Sequence, residues 1–186
     1  VHASVGLRFD TVFKCPVCDR ERKDYFFEPS EGWVVRPQKK WPDILPCIGA
    51  GTAVSLKVVD DMVAAGITGY RLHRLTLVDY PPEKAPTTEY HLLEPTGLVA
   101  LTVSPDSGIE ICSHCGMWNS TGIAGDSNSF PLLGLVPGSW DGSDWVFATA
   151  ATSRFACCSQ RVIDLAAEKK WTNSAFWSID CRILRG

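Results

Sequence analysis

The sequence has no long apolar run. Nothing in its 186 residues approaches the roughly 20 needed to cross a bilayer as a helix, so no membrane association is expected. It also lacks charge of one sign. Its 18 basic and 21 acidic residues leave a net charge of −3, which removes the pull towards nucleic acid or anionic lipid that a basic protein has. Val1 to Asp10 lacks the basic head and apolar stretch of a signal peptide. Its first residue is not Met, so the chain is expected to begin inside a longer product. Local signatures of familiar enzymes are missing too: there is no nucleophile elbow, no H-E-x-x-H helix and no P-loop. Gly49-Ala50-Gly51-Thr52 comes nearest to an anion cradle, but without the Lys of a P-loop it reads as a plain loop. These absences leave a cytoplasmic protein that is not an enzyme as the expectation.

What is present is cysteine in a telling arrangement. Four of the eight form two C-x-x-C pairs, Cys15/Cys18 and Cys112/Cys115. A secreted disulfide scaffold is smaller and denser in cysteine, whereas two separated pairs suit a metal in a reducing compartment. Structural zinc takes four ligands in a tetrahedron, and each C-x-x-C turn supplies two thiolates on one side of the ion. Gly116 follows the second pair and eases the turn. Asp19 stands at that place in the first pair and tolerates a left-handed backbone better than most residues. Loop closure grows only slowly in cost with length, so the long insertion between the pairs does not exclude a shared site. The expected cofactor is one structural Zn2+ on Cys15, Cys18, Cys112 and Cys115. His114 inside the second knuckle is a possible substitute ligand, and its two flanking cysteines suit the geometry better. Cys47, Cys157, Cys158 and Cys181 read as small buried apolar residues.

Around these knuckles the pattern predicts an α+β fold, a single domain over residues 1–186, with a mixed sheet, two main helices and a zinc-ribbon-like element tying the N-terminal region to the middle of the chain. A strand is expected within Val1–Phe13, and a charged loop over Asp19–Lys23. Arg36–Gly51 is rich in Pro and Gly and reads as an irregular connection with Trp41, Ile44 and Leu45 tucked onto the core. Ser55–Ala65 reads as a helix, capped by Ser55, with Leu56, Val59, Met62 and Val63 on its apolar face and Gly66 behind it. Strands follow at Tyr70–Tyr80, on both sides of Pro95-Thr96-Gly97, and at Val146–Ala148. Ser153–Lys169 reads as the second helix, with Phe155, Cys158, Val162, Leu165 and Ala166 as its stripe, and Phe176–Leu184 as a closing strand. Both helices run through a short Thr-bearing loop into a strand (Gly66-Ile67-Thr68-Gly69 and Lys170-Trp171-Thr172-Asn173), which suggests two helix–strand units without establishing a repeat.

Recognition is expected at a loop where Trp140, Asp141, Asp144 and Trp145 sit among glycines and serines. Aromatics beside charges are what interfaces use, although the two tryptophans read equally well as core pegs.

The order and spacing of these features resemble the myxobacterial double-CxxCG paralogous family. The likeness rests on Cys15-x-x-Cys18, on Ala65-Gly66-Ile67-Thr68-Gly69 with the following Arg71, Leu72, Arg74 and Leu75, on Cys112-x-x-Cys115-Gly116, and on Ser143-Asp144-Trp145-Val146-Phe147. Asp19 departs from the family's first Gly. The resemblance implies an immunity protein that binds and neutralises a cognate toxin passed between neighbouring cells, with the four cysteines as zinc ligands and no catalytic residues. The acidic net charge suits a basic toxin. The alternative is a nucleic-acid-associated zinc ribbon, for which Lys14, Arg20, Arg22 and Lys23 near the first knuckle speak. The overall charge speaks against it.

Overall fold

Ser55 leads into the first helix, Gly66 closes it, and strands flank it on both sides. The structure, a computed structural model, describes residues 3–4, 7–27, 34–35, 40–46, 52–75, 82–103, 110–115, 117, 133–150, 153–174 and 176. In chain order the strands are β1 (Ala3–Ser4), β2 (Leu7–Lys14), β3 (Glu21–Phe27), β4 (Val34–Val35), β5 (Ile44–Pro46) and β6 (Thr52–Ser55). Helix α1 (Leu56–Ala64), strand β7 (Tyr70–Arg74) and a 3-10 turn (Pro82–Lys84) follow. The second part of the chain forms β8 (Tyr90–Pro95), β9 (Gly97–Val103), β10 (Leu133–Leu135), β11 (Trp145–Ala150), β12 (Ser153–Cys158) and helix α2 (Gln160–Glu168).

Two four-stranded sheets carry the fold. The first, in the order β5-β6-β8-β7, is antiparallel throughout. The second, β10-β9-β11-β12, is mixed: β9 runs parallel to β11, and the other pairs are antiparallel. The fold is therefore α+β with a mixed sheet and two helices, as expected. Strands β2 and β3 form a separate ribbon joined by the first knuckle. Pro95-Thr96-Gly97 does not fold β9 back onto β8. The chain passes there from one sheet to the other, with Thr96 N donating to Gly69 O at 2.7 Å.

Helix α1 matches its expected position but not its expected face. Val58 and Met62, one turn apart, are buried, while Leu56 and Val63 are exposed. Its C-terminal end is a Schellman cap: Ile67 N donates to Met62 O and Gly66 N to Val63 O, with Gly66 at φ 62° and Ile67 buried behind it. One core joins the two parts of the chain, with Ile44, Val58 and Met62 meeting Trp145, Val162 and Trp171.

Three local expectations are corrected. The second helix spans Gln160–Glu168 rather than Ser153–Lys169, and Ser159 rather than Ser153 precedes it. Residues Ser153–Cys158 are strand β12, paired with β11 from Trp145↔Cys158 to Ala150↔Ser153. Phe155 and Cys158 imitate helical spacing, but a run this short gains more from a full ladder beside β11 than from one extra helical turn. Val162, Leu165 and Ala166 are buried as expected. The charged loop ends early, because the knuckle returns the chain alongside β2 and Glu21 begins β3 opposite Lys14. Finally, Ile44–Pro46 is strand β5 rather than irregular chain; Ile44 and Leu45 are buried, and the Trp41 ring meets that of Tyr90 at a tilt of 48°, with centroids 5.4 Å apart. The closing strand expected over Phe176–Leu184 lies outside the described residues except for Phe176, which packs on the core. Cys47, Gly116 and Cys181 also lie outside them.

Candidate metal centre

The first knuckle is built by the ribbon that carries it. Cys15 N donates to Arg20 O at 2.8 Å, Asp19 N donates to Cys15 O at 2.9 Å, and Asp19 adopts φ 57°. This is the left-handed turn expected of Asp19. In the second knuckle Cys112 N donates to Met117 O at 2.8 Å, the same bond across the same number of residues. Arg20 then joins the two, its Nη1 donating to Met117 O at 2.7 Å.

The four thiols meet as expected. Cys15 Sγ lies 3.9 Å from Cys112 Sγ, Cys18 Sγ lies 3.7 Å from Cys115 Sγ, and all four ligand atoms fall within 4.8 Å of one another. These separations are far beyond the roughly 2.05 Å of a disulfide, and among the described residues no cysteine is in one. Cys15 is buried and its three partners are half-buried. Four thiols converging from two distant turns can hold a metal ion, and among the described residues this is the one cluster of its kind. His114 is exposed between Cys112 and Cys115 and does not belong to the cluster.

The electrostatics suit a thiolate site. The backbone amides of Cys115 and His114 bring the Cys112 thiol down to about 6. At Cys15, burial opposes ionisation, and the amides of Cys18 and Val17 outweigh it. Burial pushes Cys115 up to about 12 and raises Cys18, and hydrogen bonds with Cys15 and Cys112 add to both rises. A cation at the centre opposes both rises. Cys157 and Cys158 lie in β12, away from the cluster, and burial pushes Cys158 up to about 12.

The tryptophan loop divides. Trp140 is 52% exposed, with its Nε1 donating to Ser143 O, and Asp141 is exposed, its carboxylate accepting from Ser143 N. Asp144 and Trp145 are corrected: they are 2% and 5% exposed and belong to the interior rather than to a binding surface. Trp145 is a core residue at the start of β11. Asp144 accepts from Ser159 Oγ at 2.7 Å, Arg161 Nη1 at 2.9 Å and Thr68 N at 3.0 Å. Burial opposes its ionisation, but Ser159, Thr68 and Arg161 together hold its carboxyl below the usual range. No local signal marked this network, since Thr68 lies 76 residues from Asp144. Arg20 was legible only as part of a basic cluster; its bond to the second knuckle needed the fold.

Compared with protein-family models, characterised proteins and solved structures, the chain has no significant match.

Proposed function

We propose that this chain is a zinc-stabilised immunity protein that binds and neutralises a cognate bacterial toxin in the cytoplasm, without catalysis of its own. The supporting observations are a four-thiol cluster and, separately, an exposed Trp140–Asp141 loop. Zinc bonded to sulfur at about 2.3 Å in a tetrahedron sets its ligands about 3.8 Å apart. The two Sγ pairs, at 3.7 and 3.9 Å, fit that edge. Four thiolates leave no coordination position for water, so the ion's part is to hold the chain together. Recognition then falls to the surface, where a Trp beside a carboxylate is the chemistry of an interface anchor. A net charge of −3 suits a basic toxin.

Two of the basic residues that favoured nucleic acid are already engaged. Arg20 is bound to Met117 O, and Lys14 pairs with Asp19 at 3.0 Å. No described helix is long and apolar enough to cross a membrane.

The test co-expresses the chain with the toxin encoded beside it and scores survival. Protection is expected from the intact protein and not from Trp140→Ala/Asp141→Ala, which should still retain one zinc per chain. Absence of a neighbouring toxin, or protection that survives the double substitution, counts against the reading. A salt-dependent gel shift with nucleic acid would replace it with the zinc-ribbon alternative.

A further inference from the structure

The environment of Asp144 occurs a second time. Asp43 accepts from Ser55 Oγ at 3.1 Å, Thr172 N at 2.9 Å and Thr172 Oγ1 at 3.0 Å, and its own N–H donates to Thr172 Oγ1. Asp144 accepts from Ser159 Oγ, Thr68 N and Thr68 Oγ1, and its N–H donates to Thr68 Oγ1. The correspondence continues through the backbone. Ser55 N donates to Asp43 O and Ser159 N to Asp144 O; Ile44 N donates to Thr172 O and Trp145 N to Thr68 O. A cation two residues into each helix completes the set: Lys57 reaches Asp43 and Lys169 O, and Arg161 reaches Asp144 and Ala65 O.

The segments around these residues align in order without a gap from Ser55–Gly69 to Ser159–Asn173. Val58 and Val162, both fully buried, occupy one position, and Ile67 and Trp171, both buried, another. Gly66 (φ 62°) matches Lys170 (φ 53°), and Gly69 (φ 81°) matches Asn173 (φ 60°). A non-glycine residue in that region is uncommon, so two such matches, one after the other, are a strong coincidence to explain. Even the last position agrees in use. A Cβ on Gly69 would collide with Trp145 O, while Asn173 donates Nδ2 to Ile44 O, the corresponding atom.

The contacts are reciprocal: the Asp of the first segment meets the Thr of the second, and the Asp of the second meets the Thr of the first. Residue i meeting j while j meets i defines an isologous twofold interface. The knuckles obey the same operator, because the first cysteines of each pair face one another and so do the second, Cys15 with Cys112 and Cys18 with Cys115.

We infer that the chain is one ancestral unit present twice, residues 15–20 with 43–69 and residues 112–117 with 144–173, and that the partner surface of each copy is the other copy, joined as in a homodimer by two carboxylate latches and by a metal centre on the pseudo-twofold axis. The Asp43 and Asp144 latches are equivalent parts of one interface. Each fastens the start of one helix to the loop after the other helix.

A transplant within the full-length chain tests the equivalence. Ser159–Asn173 is replaced by a second copy of the sequence Ser55–Gly69, and in a control by the same length of sequence taken one residue later. The in-register chimera is expected to bind one zinc per chain and unfold in a single transition, and the shifted one to do neither. An in-register chimera no better than the shifted one overturns the inference. Because Ile67 for Trp171 and Met62 for Ala166 burden the core, amide exchange on D43N and D144N gives an independent readout. D43N should speed exchange at Thr172 tenfold or more, and D144N at Thr68. Acceleration confined to the half that carries the substitution would also overturn it.

Discussion

Trp41 stands two residues ahead of Asp43 and Trp140 four residues ahead of Asp144, and the two halves use these tryptophans differently. Trp41 is half-buried against Tyr90, with Nε1 donating to Lys84 O. Trp140 closes on its own loop and leaves half its surface to solvent. The latches differ in degree as well. Asp144 is almost fully enclosed and 2.9 Å from Arg161, whereas the Asp43 side chain is 17% exposed and 3.5 Å from Lys57. The first half has turned its aromatic inward as scaffold, and the second has the drier latch and the freer aromatic. When two regions are built alike, the places where they diverge are where different demands act, which directs attention to the loop around Trp140.

The thiol cluster should show no such divergence, because each half supplies two of its four cysteines. Cys18→Ser and Cys115→Ser are each expected to abolish stoichiometric metal retention and to lower stability by several kcal/mol, since binding energy at a structural site is folding energy. Metal analysis with urea unfolding checks this. A loss from one knuckle only would break the equivalence.

The latches should rank in order of enclosure. Asp144→Ala strands Thr68 N and Ser159 Oγ, while Arg161, 60% exposed, turns to water, and leaving such enclosed donors without an acceptor costs about 2 kcal/mol. Asp43→Ala, partly open to water, should cost about half as much. Equal losses would mean that enclosure has no part in the difference. Acid should find the same two groups. Burial opposes ionisation at both, but the bonds from Thr172 and Ser55 at Asp43, and from Ser159 and Thr68 at Asp144, lower both carboxyls. The unfolded chain, with carboxyls near about 3.9, binds more protons there, so stability rises with pH and is lost as pH falls below about 4. D43N and D144N should each flatten that acid limb in pH-dependent unfolding.

The smallest effects compare the helix ends. Gly66→Ala should cost about 1 kcal/mol, because a Cβ is strained at φ 62°. Lys170→Gly should raise stability by about 0.5 kcal/mol, because it relieves the same strain at φ 53°. Thermal unfolding of both variants decides whether the two ends are equivalent.

The knuckles were legible because a metal site fixes residue type and local spacing together, and Asp19 in its left-handed turn followed from the same argument. Helix α1 was legible from its periodicity and its closing glycine; its face was not, because Val58 and Val59 are alike in sequence and only the neighbouring sheet separates them. Ser153–Cys158 misled because a strand with apolar residues three apart looks helical until β11 is placed beside it. Asp144 misled in the opposite direction, since a carboxylate between Ser143 and Trp145 reads as loop surface unless Thr68 and Arg161 are known to enclose it.

By itself the sequence determined the four clustered cysteines, the turns that present them, the first helix and the later part of the second, all of which rest on interactions within a few residues. Tertiary structure decided which thiols face which, which of two neighbouring tryptophans meets solvent, and that two distant Thr-bearing loops close on each other's aspartates. Those outcomes depend on hydrogen bonds and burial between segments 76 to 129 residues apart, for which the chain carries no local mark.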